Sequence, residues 1–166
     1  MRPRPELRDL IAVPSGMPPL GAADVEGSDL VGRPRTLRLA SPGCWTLLLF
    51  LGSHCDGCAP FWTVPRTPSA CGLEPQDAAI VVTRGPGTEV PAVLATLMGK
   101  DPPDGSEPLC MSDTAWRTYR VHGAPFYVLL DGVEVATEGV AWSLEQVSAE
   151  VARARRSPDG RTAARA

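Results

Sequence analysis

Residues Thr46–Cys58 read TLLLFLGSHCDGC, and the fold turns on how this stretch is taken. With Trp45 in front, the apolar run Trp45–Leu51 is unbroken and lies between Gly43 and Gly52. A run of that length suits a central strand covered on both faces, and it is far too short to cross a bilayer. Cys55-Asp56-Gly57-Cys58 follows at once. A short helix is expected beyond it, through Phe61 and Trp62 to Val64, where Pro65 would end it.

Working outward, Ala78–Thr83 (AAIVVT) reads as a second buried strand. Thr88 is expected to cap a helix bearing Val90, Val93, Leu94 and Leu97 and closed by Gly99. Pro108–Met111 is a brief strand, and Ser112 opens a helix with Ala115, Trp116 and Tyr119 on one side. Phe126–Leu130, Asp131-Gly132 and Val133–Ala136 form a hairpin signal, since Asp-Gly suits a tight turn that needs positive φ. Ser143 to Gln146 matches a capping box, followed by the stripe Leu144, Val147, Val151. Upstream, Ser28–Leu39 reads as a peripheral hairpin turning at Gly32-Arg33-Pro34. Strands alternating with helices and closed by an antiparallel hairpin indicate an α/β domain, a central mixed β-sheet flanked by helices.

Composition places the chain among ordinary globular domains: 166 residues, 43 % hydrophobic, 21 % charged, formal net charge −3. The 18 prolines and 16 glycines punctuate loops. Met1–Gly21 holds five prolines and no apolar run long enough for a signal core, so a soluble, cytoplasmic protein is expected. The acidic balance and the lack of aromatics among Arg153, Arg155 and Arg156 argue against nucleic acid as a partner. Those arginines suit a helix C-terminus.

Five cysteines with one tight pair do not make a secreted disulfide framework. Cys44, Cys71 and Cys110 are expected to be small buried hydrophobes. Cys55 is different. It follows a buried strand and opens a helix, where free peptide N–H groups favour a thiolate. Cys58 lies one turn on, on the same face, so the two sulfurs can join. The expected cycle has Cys55 attack a partner's disulfide and Cys58 resolve the mixed disulfide. His54 could stabilise the thiolate or carry a proton, while the Asp56 carboxylate would raise the thiol pKa.

Other readings of the pair remain. A zinc ribbon wants a second close pair, which the scattered remaining cysteines do not supply. A Cu(I)-carrying chaperone could use Cys55, Cys58 and His122, since soft thiolates suit that ion. A non-catalytic scaffold is a further alternative. A peroxidatic cysteine motif, Pro-x-x-x-Thr-x-x-Cys, is absent, because Gly52 and Cys55 stand three residues before Cys55 and Cys58.

TLLLFLGSHCDGC, YRVHGAPFYVLLDG and the capped last helix together resemble the thioredoxin superfamily, nearest its TlpA-like and MauD-like thiol–disulfide oxidoreductase branch. The resemblance covers about Ala22 to Ala154. It implies a thioredoxin-like fold with an N-terminal hairpin extension and an inserted βα unit near Ala78–Gly99. It implies an enzyme that exchanges electrons with protein disulfides or dithiols, served by a redox partner protein and needing no cofactor or metal. Pro125 takes the place of the family's cis-proline, and Ala124 before it would pair with an extended substrate segment. The chain departs from the family where His54 replaces a tryptophan and where no proline separates the cysteines. Leu49 stands where thioredoxins keep a buried acid, so a water or another carboxylate would have to receive the Cys58 proton. The organisation expected is a Pro-rich lead-in at 1–21, a thioredoxin-like domain at 22–156, and a polar tail at 157–166.

Overall fold

In the computed structural model, which describes residues 24–39 and 43–157, the apolar run becomes a strand whose residues are all buried. In chain order the strands are β1 (Val25–Ser28), β2 (Pro34–Leu37), β3 (Trp45–Phe50), β4 (Ala78–Thr83), β5 (Leu109–Met111), β6 (Phe126–Asp131) and β7 (Glu134–Val140). The helices are α1 (Pro91–Leu97), α2 (Asp113–Thr118) and α3 (Leu144–Arg156). The expected lead-in at 1–21 and all of the expected tail past Ser157 lie outside the described residues.

The strands form one mixed sheet in the order β2-β1-β5-β4-β3-β6-β7. β3, β4 and β5 run parallel, while β6 lies antiparallel to β3, with Phe50 opposite Phe126. Because side chains alternate across a strand, β3 feeds two cores. Leu47 and Leu49 join Phe61, Val64, Leu94 of α1, and Val147 and Val151 of α3 on one face. Leu48 and Phe50 join Trp116 of α2 and Tyr119 just past its end on the other, where the Phe50 and Trp116 rings meet edge-on at 5.5 Å. Two strand–helix units, β4–α1 and β5–α2, separate the dithiol from Pro125. The first of them occupies the segment expected to hold the inserted unit.

Four local expectations are corrected. The helix after the dithiol is not an α-helix but three short 3-10 segments, Asp56–Phe61, Val64–Arg66 and Pro68–Cys71. Pro60 has no N–H to donate, and Pro65 and Pro68 each sit at the start of a segment, so no i→i−4 ladder can propagate. Thr88 does not cap α1. The N-cap is Val90, Pro91 opens the helix, and Val90 and Val93 face solvent. The last hairpin pairs Asp131 with Glu134, so its two loop residues are Gly132 and Val133 rather than Asp131 and Gly132. β7 also runs on to Val140, past a register shift opposite Leu129/Leu130. The first hairpin begins earlier than expected, at Val25, and turns on Asp29, whose carboxylate accepts the N–H groups of Val31 and Arg33 at 2.9 Å.

The last helix follows the sequence pattern closely. Ser143 accepts the Gln146 N–H at 3.1 Å, and Val147 and Val151 are fully buried. Its far end docks through Arg155, which pairs with the fully buried Asp77 carboxylate and lies 5.0 Å from the Trp45 ring centre. Asp77 also accepts the Trp45 N–H at 3.2 Å and the Glu74 N–H at 2.8 Å, tying together the entry of β3 and the approach to β4.

Candidate active site

β3 ends at Phe50, and Leu51 still donates to Val82 O at 3.2 Å before the chain leaves the sheet. Two tight turns follow, Cys55 N–H to Gly52 O at 3.3 Å and Cys58 N–H to Cys55 O at 3.2 Å. Cys55 itself is extended (φ −110°, ψ 110°) and precedes the first 3-10 segment. In a 3-10 turn, side chains three apart eclipse one another, which brings the two cysteines face to face. They form a disulfide, with Cα atoms 5.4 Å apart.

The two sulfurs sit in different surroundings. Cys58 is fully buried in the layer that holds Leu49, whereas Cys55 is half-buried at the surface. The short 3-10 segment aligns fewer peptides beneath Cys55 than the α-helix expected from sequence, so its helix-end field is weaker. The orphan N–H groups of a first turn remain.

Pro125 stands over this loop. A Cβ placed on Gly57 would lie 3.4 Å from Pro125 Cδ, so the prolyl ring and the residue between the cysteines are neighbours. The Ala124–Pro125 peptide is cis. Pro125 O accepts the Ala141 N–H at 3.0 Å, and Ala124, half-buried, packs against both cores. His54 and Asp56 flank Cys55 and are exposed. His122 is exposed too, and among the described residues no three His, Cys, Asp or Glu side chains gather as a metal site.

Sequence reasoning missed Glu89. It lies in a Gly-Pro-Gly-Thr-Glu turn that reads as surface loop, yet it is 5 % exposed. Ser53 donates its N–H at 3.1 Å and its hydroxyl at 2.5 Å to the two oxygens of the Glu89 carboxylate. A Cβ placed on Gly52 would lie 3.5 Å from Glu89 Oε1 and 4.0 Å from Cys55 Cβ. A carboxylate therefore does approach the dithiol, from a different element than the β3 position held by Leu49. The available signal was Ser53, a hydroxyl one residue past a glycine at the end of an apolar strand.

Sequence reasoning also passed over Trp142, 78 % exposed just past β7. Gln146 holds its segment, accepting the Trp142 N–H at 2.7 Å and donating to Val140 O at 3.0 Å. With Val140 opposite Phe126 and Ala141 bonded to Pro125, this tryptophan is presented at the dithiol end of the sheet.

Of the free cysteines, Cys71 and Cys110 are fully buried, as expected, but Cys44 is only half-buried. Burial pushes the Cys71 thiol up to about 11. It does the same at Cys110, to about 11, against the lowering effect of the Arg35 charge and the Ser28 backbone.

No protein-family model and no curated protein matches the sequence. Solved structures do match its shape. A thioredoxin-like protein from Aeropyrum pernix superposes with TM-score 0.59 at 15 % identity, covering 78 % of this chain and 89 % of that one. The chain has a thioredoxin-like fold. Other thioredoxin-like structures superpose over similar spans. A thiol:disulfide interchange protein from Chlorobium tepidum gives TM-score 0.57 at 15 % identity, covering 84 % of this chain and 99 % of that one. A secreted Mycobacterium tuberculosis disulfide oxidoreductase gives 0.56 at 16 %, covering 77 % and 94 %. No helix among the described residues is long and apolar enough to cross a membrane.

Proposed function

We propose that the protein is a thiol–disulfide oxidoreductase acting on protein disulfides or dithiols through Cys55 and Cys58. The observation that carries this reading is the asymmetry of the bonded pair: one sulfur half-exposed at the end of the central strand, its partner sealed in the core. Such a pair has one entry for a visiting sulfur and one resolving group that only the first sulfur can meet.

In the reducing direction, the Cys55 thiolate attacks a substrate disulfide. A Cys55–substrate bond forms, and the first substrate sulfur leaves as a thiolate and takes a proton. Cys58 then gives up its proton and attacks Cys55 Sγ. The internal disulfide forms and the second substrate sulfur leaves as a thiol. The substrate gains two electrons and two protons; this chain loses them and is re-reduced by a redox partner protein. Run backwards, the same steps oxidise a dithiol substrate. Ala124 and Pro125, beside Gly57, are the backbone against which an extended substrate segment would lie. His54 and Asp56 are exposed modulators of the Cys55 thiolate.

The working compartment in this reading is the cytoplasm, where Cys44, Cys71 and Cys110 stay as thiols. The structural matches named as a disulfide oxidoreductase and a thiol:disulfide interchange protein support the activity by likeness of fold.

A Cys58→Ser variant tests the cycle. It should accumulate mixed disulfides through Cys55, visible as adducts by mass spectrometry, and a Cys55→Ser variant should not. Absence of adducts with oxidised glutathione and with a protein disulfide would refute the assignment.

A further inference from the structure

We propose that Glu89 is a positioning residue for the dithiol: its carboxylate pins Ser53, fixes the Gly52–Cys55 turn, and sets a negative charge behind the nucleophile. The inference rests on the reading of Cys55 as the attacking sulfur.

Both Glu89 oxygens are committed to one residue, Oε1 to the Ser53 N–H and Oε2 to its hydroxyl. Ser53 is an interior residue of the turn closed by the Cys55 N–H on Gly52 O. Movement of Ser53 therefore moves Cys55. A buried carboxylate is costly unless it is hydrogen-bonded, and here its acceptor capacity is directed at the turn that carries the nucleophile. Glu89 is itself held, its N–H donating to Gly85 O at 2.9 Å, while the Gly85 N–H donates to Asp113 Oδ1 at 3.1 Å. The dithiol turn is thus braced against the loop between β4 and α1 and the first residue of α2 rather than left to fray as a loop tip.

The ionisable groups around Cys55 are His54 and Asp56 beside it in the chain, Cys58 beneath it, and Glu89 from the loop between β4 and α1. Gly123, Ala124 and Pro125 carry none, and His122 is the next group along that segment. His54 and Asp56 are exposed and solvent-screened, whereas Glu89 is buried. Its charge therefore outweighs theirs at the sulfur. A negative charge there disfavours the thiolate and so favours the disulfide over the dithiol.

The test uses the full chain. Glu89→Gln preserves shape and removes the charge. In the reduced protein, the pH midpoint of Cys55 alkylation by iodoacetamide should fall by about one unit, since Glu89 Oε1 and Cys55 Cβ lie within 3.5 Å and 4.0 Å of the same point beside Gly52 and a charge that near acts through an effective dielectric of about 20, reduced by salt. The equilibrium with glutathione should move several-fold toward the dithiol. Ser53→Ala keeps the charge and the backbone bond and removes only the hydroxyl. It should leave the midpoint in place while slowing disulfide exchange several-fold.

A folded Glu89→Gln with the wild-type midpoint would overturn the charge role, since a purely structural contact lowers the melting temperature without moving that midpoint. If Glu89→Gln does not fold, Ser53→Ala decides, and a wild-type exchange rate in that variant overturns the positioning. Failure of the wild-type chain to exchange with any disulfide would instead sink the oxidoreductase reading. The alkylation profile reports on Glu89 in either case.

Discussion

Reducing the Cys55–Cys58 bond leaves five thiols in the chain, and the structure orders their reactivity. Cys71 and Cys110 are fully buried and pushed up to about 11. At pH 8 about one in a thousand of each is ionised, against about a quarter of an unperturbed thiol near 8.5, a handicap of about two hundredfold. The thiolate of a weaker acid is the better nucleophile, which returns about tenfold to fifteenfold. Protonation alone therefore slows these two cysteines by about fifteenfold, and burial adds whatever opening the fold requires. Cys55, half-buried and at the surface, should label first with iodoacetamide, Cys44 next, and Cys71 and Cys110 last by more than a hundredfold. Peptide mass spectrometry of quenched time points reads each site separately, and all five should label at similar rates in urea. Labelling of Cys71 or Cys110 within tenfold of Cys55 in the folded protein would refute the argument.

The same two thiols make the reduced protein less stable at alkaline pH. The native state keeps protons that the unfolded chain releases, so their contribution is complete below about pH 9 and is lost as pH rises through 11, about 2–3 kcal/mol each. Urea melts across that range check it, and a flat profile would count against the burial-raised thiols. Asp77→Ala strips the partner from Arg155 and from two backbone N–H groups, and should cost about 3–5 kcal/mol in the same melts. A loss under 1 kcal/mol would mean the network carries little. Trp142→Ala removes a side chain that is 78 % exposed, so stability should change by less than about 0.5 kcal/mol. Reduction of a protein disulfide should nevertheless slow several-fold while reduction of a small disulfide does not; equal slowing of both would dismiss Trp142 as a docking contact.

What could be read directly from residues were the features set by local pattern. Leu47–Leu51 announced a strand buried on both faces because nothing polar interrupts it, and Ser143 with Gln146 marked the start of α3 because the cap bonds are intrinsic to that spacing. Cys55 and Cys58 were legible as a pair for the same reason, three residues apart at a strand end. The misreadings arose where local rules compete. A helix after the dithiol was plausible from Phe61 and Trp62, but Pro60, Pro65 and Pro68 jointly limit it to 3-10 turns. Thr88 is a good cap by type, yet Pro91 fixes the helix start beyond it. Glu89 was not legible from its own surroundings, since its partner Ser53 stands 36 positions earlier and no short-range pattern records so distant a contact. The extension of β7 to Val140 likewise depends on a register shift that alternation does not announce.

In the proposed cycle, the sealed position of Cys58 restricts traffic through the dithiol. With only one sulfur of the pair on the outer surface, electron donor and acceptor must dock at the same atom in turn, and neither can arrive until the other has gone. Initial-rate plots for two such partners should be parallel lines, and a saturating excess of either should inhibit the other.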